Sequence, residues 1–181
     1  MKKFVFKKNI CPGDPETACD FLALHTGLSK IRIKDAMNKG AAWLKAGNRK
    51  QRRIRRASMS IKAGDALELY YDENLLSITP PLGNCFKDMK HYSVWYKTAG
   101  LMTQGTMYGD HCSLLRQAEI FFKPRREIFV VHRLDREASG LLLLAHSRNA
   151  AAKLSQLFQN NQIVKTYQVE VLGNLSRNIL K

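Results

Sequence analysis

Phe129 to Val131 and Leu141 to Ala145 are unbroken apolar runs, separated by HRLDREASG, residues 132–140. Each run has the length of a buried strand and falls short of a helix. The segment between them carries Arg133, Asp135, Arg136 and Glu137. Four charges cannot stay inside a sheet without partners, so the chain here reads as strand, tight polar loop, strand, with the loop emerging at the sheet's edge. The flanking sequence extends this frame. HYSVWYKTAGLMTQGT begins as a strand from His91 to Lys97 and enters a glycine-containing loop. Ser147 is placed to cap a helix through RNAAAKLSQLFQNN, with Ala151, Leu154, Leu157 and Phe158 on one side. QIVKTYQVEVLG alternates as a closing strand, with Lys165, Tyr167, Val169 and Val171 on one face and Thr166, Gln168 and Glu170 on the other.

The first half has a different rhythm. Asp14 is placed to cap a helix whose first residue is Pro15, with Ala18, Phe21, Leu22 and His25 at helical spacing and Gly27 past its end. Ser29 caps a second helix, whose apolar face is Ile33, Ala36 and Met37 and which ends at Gly40. A short apolar stretch follows, then NRKQRRIRR, then a turn at Ala63–Asp65 feeding a strand from Ala66 to Tyr71. The paired prolines Pro80 and Pro81 stiffen the chain and mark a boundary. This predicts an α+β chain with a small αββ-type domain at 1–73, a linker at 74–90, and a mainly antiparallel sheet domain with flanking helices at 91–181.

Charge narrows the function. The chain has 30 Lys and Arg against 15 Asp and Glu, a net +15. Both halves are cationic, so the expected partner is an extended polyanion rather than one docking at a basic tail. A membrane surface would attract the same charge, but there is no amphipathic helix with a large aromatic face. The densest run, Arg49, Lys50, Arg52, Arg53, Arg55 and Arg56, follows a helix bearing Lys30, Arg32 and Lys34. Alone such a run is usually a solvated surface; after a cationic helix it reads as a phosphate-binding face. The four cysteines form no CxxC pair, the spacing of neither a zinc site nor a secreted disulfide framework. The opening MKKFVFKKNI has too short an apolar run for a signal peptide, and no stretch reaches membrane-span length. The expectation is a cytoplasmic protein with reduced cysteines, no metal and no membrane association. A nuclease finds no support, because the five histidines are scattered and no metal-ligand cluster is visible.

Asp135 has two readings. A free aspartate is ionised at neutral pH, and flanking arginines favour the charged form. That suits a nucleophile or charge stabiliser and is poor for a general acid. The bland alternative is a loop salt bridge pinning the hairpin.

Two resemblances bear on this choice. From Asp14 to Asp72, and most clearly in GLSKIRIKDAMNKG and KAGDALELYY, the chain resembles the S-four-type RNA-binding domain, named after a ribosomal protein. The resemblance implies an RNA-facing surface that includes Lys30, Arg32, Lys34 and the run from Arg49 to Arg56. HRLDREASGLLLLA resembles the signature of RluA-type RNA pseudouridine synthases. KTAGL resembles that family's preceding Lys-Pro-Ala-Gly segment, and IVKTYQVEVLG its following Lys-x-Tyr strand. This implies isomerisation of uridine to pseudouridine in structured ribosomal or transfer RNA, without cofactor or metal, because the bond made replaces the bond broken. Asp135 matches the aspartate that attacks the target uridine once it has left its stack. Arg133 matches the arginine that fills the vacated space, and Tyr167 the tyrosine that packs against the base and is a candidate for proton transfer at carbon. Lys165 fits the same strand pattern.

Thr98 replaces the family's usual proline, and Ala138 a frequent threonine. The family's domain also continues beyond the tyrosine strand, so the C-terminal part of the catalytic domain is expected to be missing, leaving apolar edges exposed. The alternative is an RNA-binding protein without turnover. Oligomeric state is left open. If three or four of the N-terminal cations contact phosphates, log affinity for single-stranded RNA should fall with log salt at a slope of about −2 to −3. Titrations at several salt concentrations measure it, and a flat response would remove the phosphate contacts.

Overall fold

The computed structural model describes residues 2–173. At the centre of its first lobe runs β4 (Ala66–Asp72), where burial alternates and turns Leu67, Leu69 and Tyr71 inward. It pairs antiparallel with β1 (Lys3–Asn9) on one side and β2 (Ala42–Lys45) on the other, and β2 pairs with β3 (Arg52–Ile54). Two helices cover the inner face, α1 (Ala18–Thr26) and α2 (Lys30–Asn38). Their Phe21, Leu22, Ile33 and Met37 are fully buried against Leu44, Ile54, Leu67 and Leu69. Ser29 caps α2 as expected, accepting the Arg32 N–H.

Two local expectations change. Thr17, not Asp14, caps α1, and Pro15 lies outside the helix. Thr17 is held extended by an isolated bridge to Ser60, so helical backbone cannot begin before it. Asp14 instead accepts the Cys11 N–H at 2.8 Å and faces the His25 ring at 3.2 Å. The first residues, read only for the absence of a signal peptide, form β1. Phe4 and Phe6 face the core, while lysines at positions 3, 7 and 8 line this sheet edge and discourage further strand pairing.

The second lobe is built on β6 (Tyr92–Lys97) and β8 (Gly140–Ala145), flanked by β5 (Asn84–Met89) and β7 (Phe129–Val130). Trp95, Leu142 and Leu144 pack on Leu114 and Ala118 of α4 (Leu114–Phe121) and on Phe122. Ser147 caps α5 (Arg148–Gln159) through the Ala150 N–H, as expected. The stretch 74–90 is not a bare linker. It contains most of α3 (Glu73–Ser77), capped by Asp72, and all of β5, a member of the second sheet. A proline constrains itself and the residue before it, and Pro80–Pro81 stiffens only the short stretch between α3 and β5. The strand expected from QIVKTYQVEVLG is absent, since residues 162–173 form no strand. Alternation tells which face a strand would bury, but not whether a neighbour is present to bond its backbone. None pairs with this segment among the described residues, and Val164, Tyr167, Val169 and Leu172 are largely exposed.

The lobes meet where the loop between β6 and α4 lies against the end of α2. Asp110 pairs with Arg55 and Arg53, its N–H donates to the Lys39 carbonyl at 3.0 Å, and the Trp43 indole N–H donates to the Met107 carbonyl at 3.0 Å. Gly40 sits under this cluster with φ of +86°, and a Cβ there would fall 2.6 Å from both Arg53 Nη1 and Asp110 Oδ1. Gly64 has a similar φ of +89° but open space around it. Gly64→Ala should therefore cost only the backbone penalty, of order 1–3 kcal/mol, and Gly40→Ala clearly more. Urea unfolding of the two variants makes the comparison; equal losses would mean the arginine–aspartate cluster does not press on Gly40.

Candidate active site and nucleic-acid interface

The loop between β7 and β8 is fixed through its backbone. Lys97, at the end of β6, is completely buried, and its ammonium donates to the carbonyls of Leu101 at 2.6 Å, Thr98 at 3.2 Å and Arg136 at 3.2 Å. The Gly100 N–H donates to the same Arg136 carbonyl at 2.7 Å. Burial pushes the Lys97 pKa down, and the nearby Glu137 and Asp135 carboxylates oppose it. One turn of chain earlier, the Thr103 hydroxyl donates to the Leu134 carbonyl at 2.7 Å and accepts the Leu134 N–H at 3.1 Å. The His132 ring accepts the Leu143 N–H through Nε2 at 2.9 Å and lies 4.3 Å, centroid to centroid, from Phe158. Where the resemblance expects proline, Thr98 ties its hydroxyl to the Leu82 carbonyl at 3.2 Å.

Against this fixed backbone the Asp135 side chain is exposed, and it makes no hydrogen bond or ion pair among the described residues. Arg136 is paired with Glu137 at 2.8 Å instead, and Arg133 is exposed. The arginine–aspartate–arginine knot legible in the sequence is therefore not an internal salt bridge. Tyr167, two-thirds exposed, lines an open cleft of about 550 Å³ together with His132, Leu134, Leu143 and Phe158. Asp135 is not part of its lining, but the cleft brings Tyr167 and Lys165 beside His132, Leu134 and Ser139 of the Asp135 loop. Among the described residues no group of three His, Cys, Asp or Glu side chains is arranged to hold a metal. No described helix is long and apolar enough to cross a membrane. Cys11, Cys19, Cys85 and Cys112 are all free thiols.

The N-terminal cations divide into two groups. Lys30, Lys34 and Arg56 line one cleft of about 450 Å³ with Thr17, Asp20 and Ser58, and Lys30 is paired with Asp20 at 2.6 Å. Arg32 reaches Glu73 at 3.3 Å, while Arg49, Lys50 and Arg52 are exposed. Arg53 and Arg55 turn the other way, into the contact with the second lobe, where burial pulls the Arg53 pKa down and Asp110 opposes it. Nothing in the composition of the run separates these two from their neighbours. Nor does the sequence point to Thr103 or Asp110, which lie in a non-periodic loop; Lys97 carried a motif resemblance without an assigned role.

Residues 91–181 match the RNA pseudouridylate synthase family. The chain belongs to that family. It is 33% identical over 109 residues to the tRNA pseudouridine synthase C of Pectobacterium carotovorum, covering 58% of this chain and 23% of that protein. It is 31% identical over 113 residues to the ribosomal large subunit pseudouridine synthase C of Rickettsia felis, covering 61% of this chain and 30% of that protein. An uncharacterized RNA pseudouridine synthase homolog of Mycoplasma pneumoniae is 24% identical over 160 residues, 84% of this chain and 49% of its own length. The chain thus spans about a quarter to a half of these pseudouridine synthases. HRLD, KTAGL and Tyr167 all lie within the matched region.

The His132 contact makes a pH prediction for this synthase-family lobe. An imidazole that accepts at Nε2 must be neutral, and burial, with help from Lys165, lowers the His132 pKa below the ordinary value. His111 and His146 are lowered in the same direction by burial. The folded state therefore binds fewer protons than the unfolded chain in this range. Stability should be complete above about pH 6.5 and be lost as pH falls through the lowered values. Denaturant unfolding from pH 8 to 5 tests this, with His132→Gln expected to remove part of the slope; stability that is flat or rising on acidification would exclude the neutral acceptor.

Proposed function

We propose that this chain carries the uridine-to-pseudouridine isomerisation of its family and acts on structured ribosomal or transfer RNA in the cytoplasm. The observation that carries the reading is Asp135: a carboxylate without a protein partner among the described residues, on a loop whose backbone is pinned by Lys97, Gly100, Thr103 and His132. A carboxylate satisfied by its own loop would have to break that contact before attacking anything. One presented on a fixed backbone is available to a nucleotide without reorganisation.

In this reading the uridine leaves its stack at a cost of a few kcal/mol. The Asp135 oxygen bonds to C1′ as the C1′–N1 bond breaks, the freed base turns, and C5 bonds to C1′ as the aspartate–C1′ bond breaks. The carbon-bound proton is then lost and the freed ring nitrogen gains one, so the reaction balances without an external reactant. Arg133, exposed on the same loop, holds the vacated position, and Tyr167 offers a ring face and hydroxyl in the adjoining cleft. The lobe formed by residues 1–73 acts as an S-four-type RNA-binding domain, supported by its two-helix and sheet construction and by the exposed Lys34, Arg49, Lys50, Arg52 and Arg56.

The position of Tyr167 favours a second reading, RNA adhesion without turnover, because the residue lies outside any sheet and is mostly solvated. Asp135→Asn separates the two. Nucleoside analysis of bulk ribosomal and transfer RNA incubated with the unmodified chain should show new pseudouridine. The variant should show none while keeping its RNA affinity, as expected for a group that acts only at the reacting atoms. No product from the unmodified chain on either RNA class would leave the adhesion reading.

A further inference from the structure

We infer that residues 103–113 form a strut that fixes the Asp135 loop relative to the RNA-binding face, with Asp110 as its positioning residue; the catalytic part of this inference rests on the proposed synthase activity. The strut is bonded at both ends. At the first lobe, Asp110, Arg53 and Arg55 have side chains only 15%, 17% and 24% exposed, and Asp110 is the acid paired with both arginines. Arg53 also donates to the Thr106 carbonyl at 2.9 Å and Arg55 to the Asn38 carbonyl at 3.0 Å. At the second lobe, the Thr103 hydroxyl holds both backbone groups of Leu134, the residue immediately before Asp135.

Between the ends the loop is tightly closed. Thr106 and Gly109 exchange backbone hydrogen bonds, and the Ser113 N–H and hydroxyl both donate to the Asp110 carbonyl, at 3.0 and 2.7 Å. The Met102 N–H donates to the Cys112 carbonyl at 3.0 Å. A Cβ on Gly105 would lie 2.2 Å from the Asp110 Cβ, so the two arms of the loop are in contact. A loop with its own backbone bonds satisfied and both ends anchored moves as one piece. Displacing Asp110 must therefore displace Thr103 or strain the loop between them.

The charge arithmetic gives the test a direction that simple damage would not. Two cations are gathered on one carboxylate, in a surface that is otherwise positive. Replacing Asp110 by Asn keeps the shape and leaves both arginines without their counter-charge, so RNA binding should hold or tighten while positioning is lost. With single-stranded oligouridylate as probe, up to two added cations should steepen the salt slope by about 0.7 each. On bulk ribosomal or transfer RNA, kcat for pseudouridine formation should fall on the order of tenfold or more without a rise in KM, and Asp110→Glu should recover part of it.

Hydrogen–deuterium exchange provides a readout independent of activity. Asp110→Asn should accelerate exchange in peptides covering 131–139. Thr103→Val should do the same from the other end, and the double variant should exceed the larger single effect little, because both cut one connection. If Asp110→Asn fails to fold, Thr103→Val carries the exchange and kcat arms alone. Unchanged exchange at 131–139 in the folded variants would overturn the strut, as would RNA affinity lost in parallel with activity. Absence of pseudouridine from the unmodified chain would instead count against the proposed function and leave the exchange result to decide the strut.

Discussion

The buried ammonium of Lys97 is the interaction on which the second lobe depends. Removing a lysine charge from water costs several kcal/mol, and three carbonyl acceptors offset it, each charge-assisted bond contributing about 1.5–3 kcal/mol. Two of those carbonyls belong to the turn after β6, but the third, Arg136, belongs to the loop after β7. One charge thus joins two loops distant in sequence, and it holds them by the backbone. The loop's side chains are left for other uses. This is why Asp135 can stand in solvent on a segment that is nevertheless well fixed, and why its sequence neighbours Arg133 and Arg136 are not needed to pin the hairpin.

The parts of the fold legible in the sequence were those set by local physics. Apolar runs bounding HRLDREASG could only be strands around a loop, and Ser29 and Ser147 each had a free hydroxyl at the start of a helical pattern. The parts that were not legible depended on what another segment was doing. Thr17 displaced Asp14 as a cap because Ser60 holds Thr17 extended. β5 formed within the stretch read as a linker because β6 offers it a complete edge. Residues 162–173 alternate as well as β4 does, yet lack a neighbouring strand among the described residues. The candidate site divides in the same way: HRLD and KTAGL were visible as motifs, whereas the bonds of Lys97 and Thr103 to the Asp135 loop are long-range contacts with no periodic or compositional signature.

Charge shows the same limit more sharply. A net +15 directs attention to a polyanion, but it does not say which cations face outward. Within the run from Arg49 to Arg56, adjacent residues on β3 point to opposite faces. Arg52 is exposed, while Arg53 stacks its guanidinium 4.3 Å from the Trp43 ring centroid and meets Asp110. Arginine suits this inward position because its planar fork can bond a carboxylate, several carbonyls and an aromatic face at once, which a lysine ammonium cannot. A single basic run is therefore divided: Arg49, Lys50, Arg52 and Arg56 stay exposed, while Arg53 and Arg55 join their lobe to the loop that carries Asp110. The distinction lies in strand periodicity combined with one acid on another segment, Asp110. Neither the count of charges nor the spacing of the run contains it.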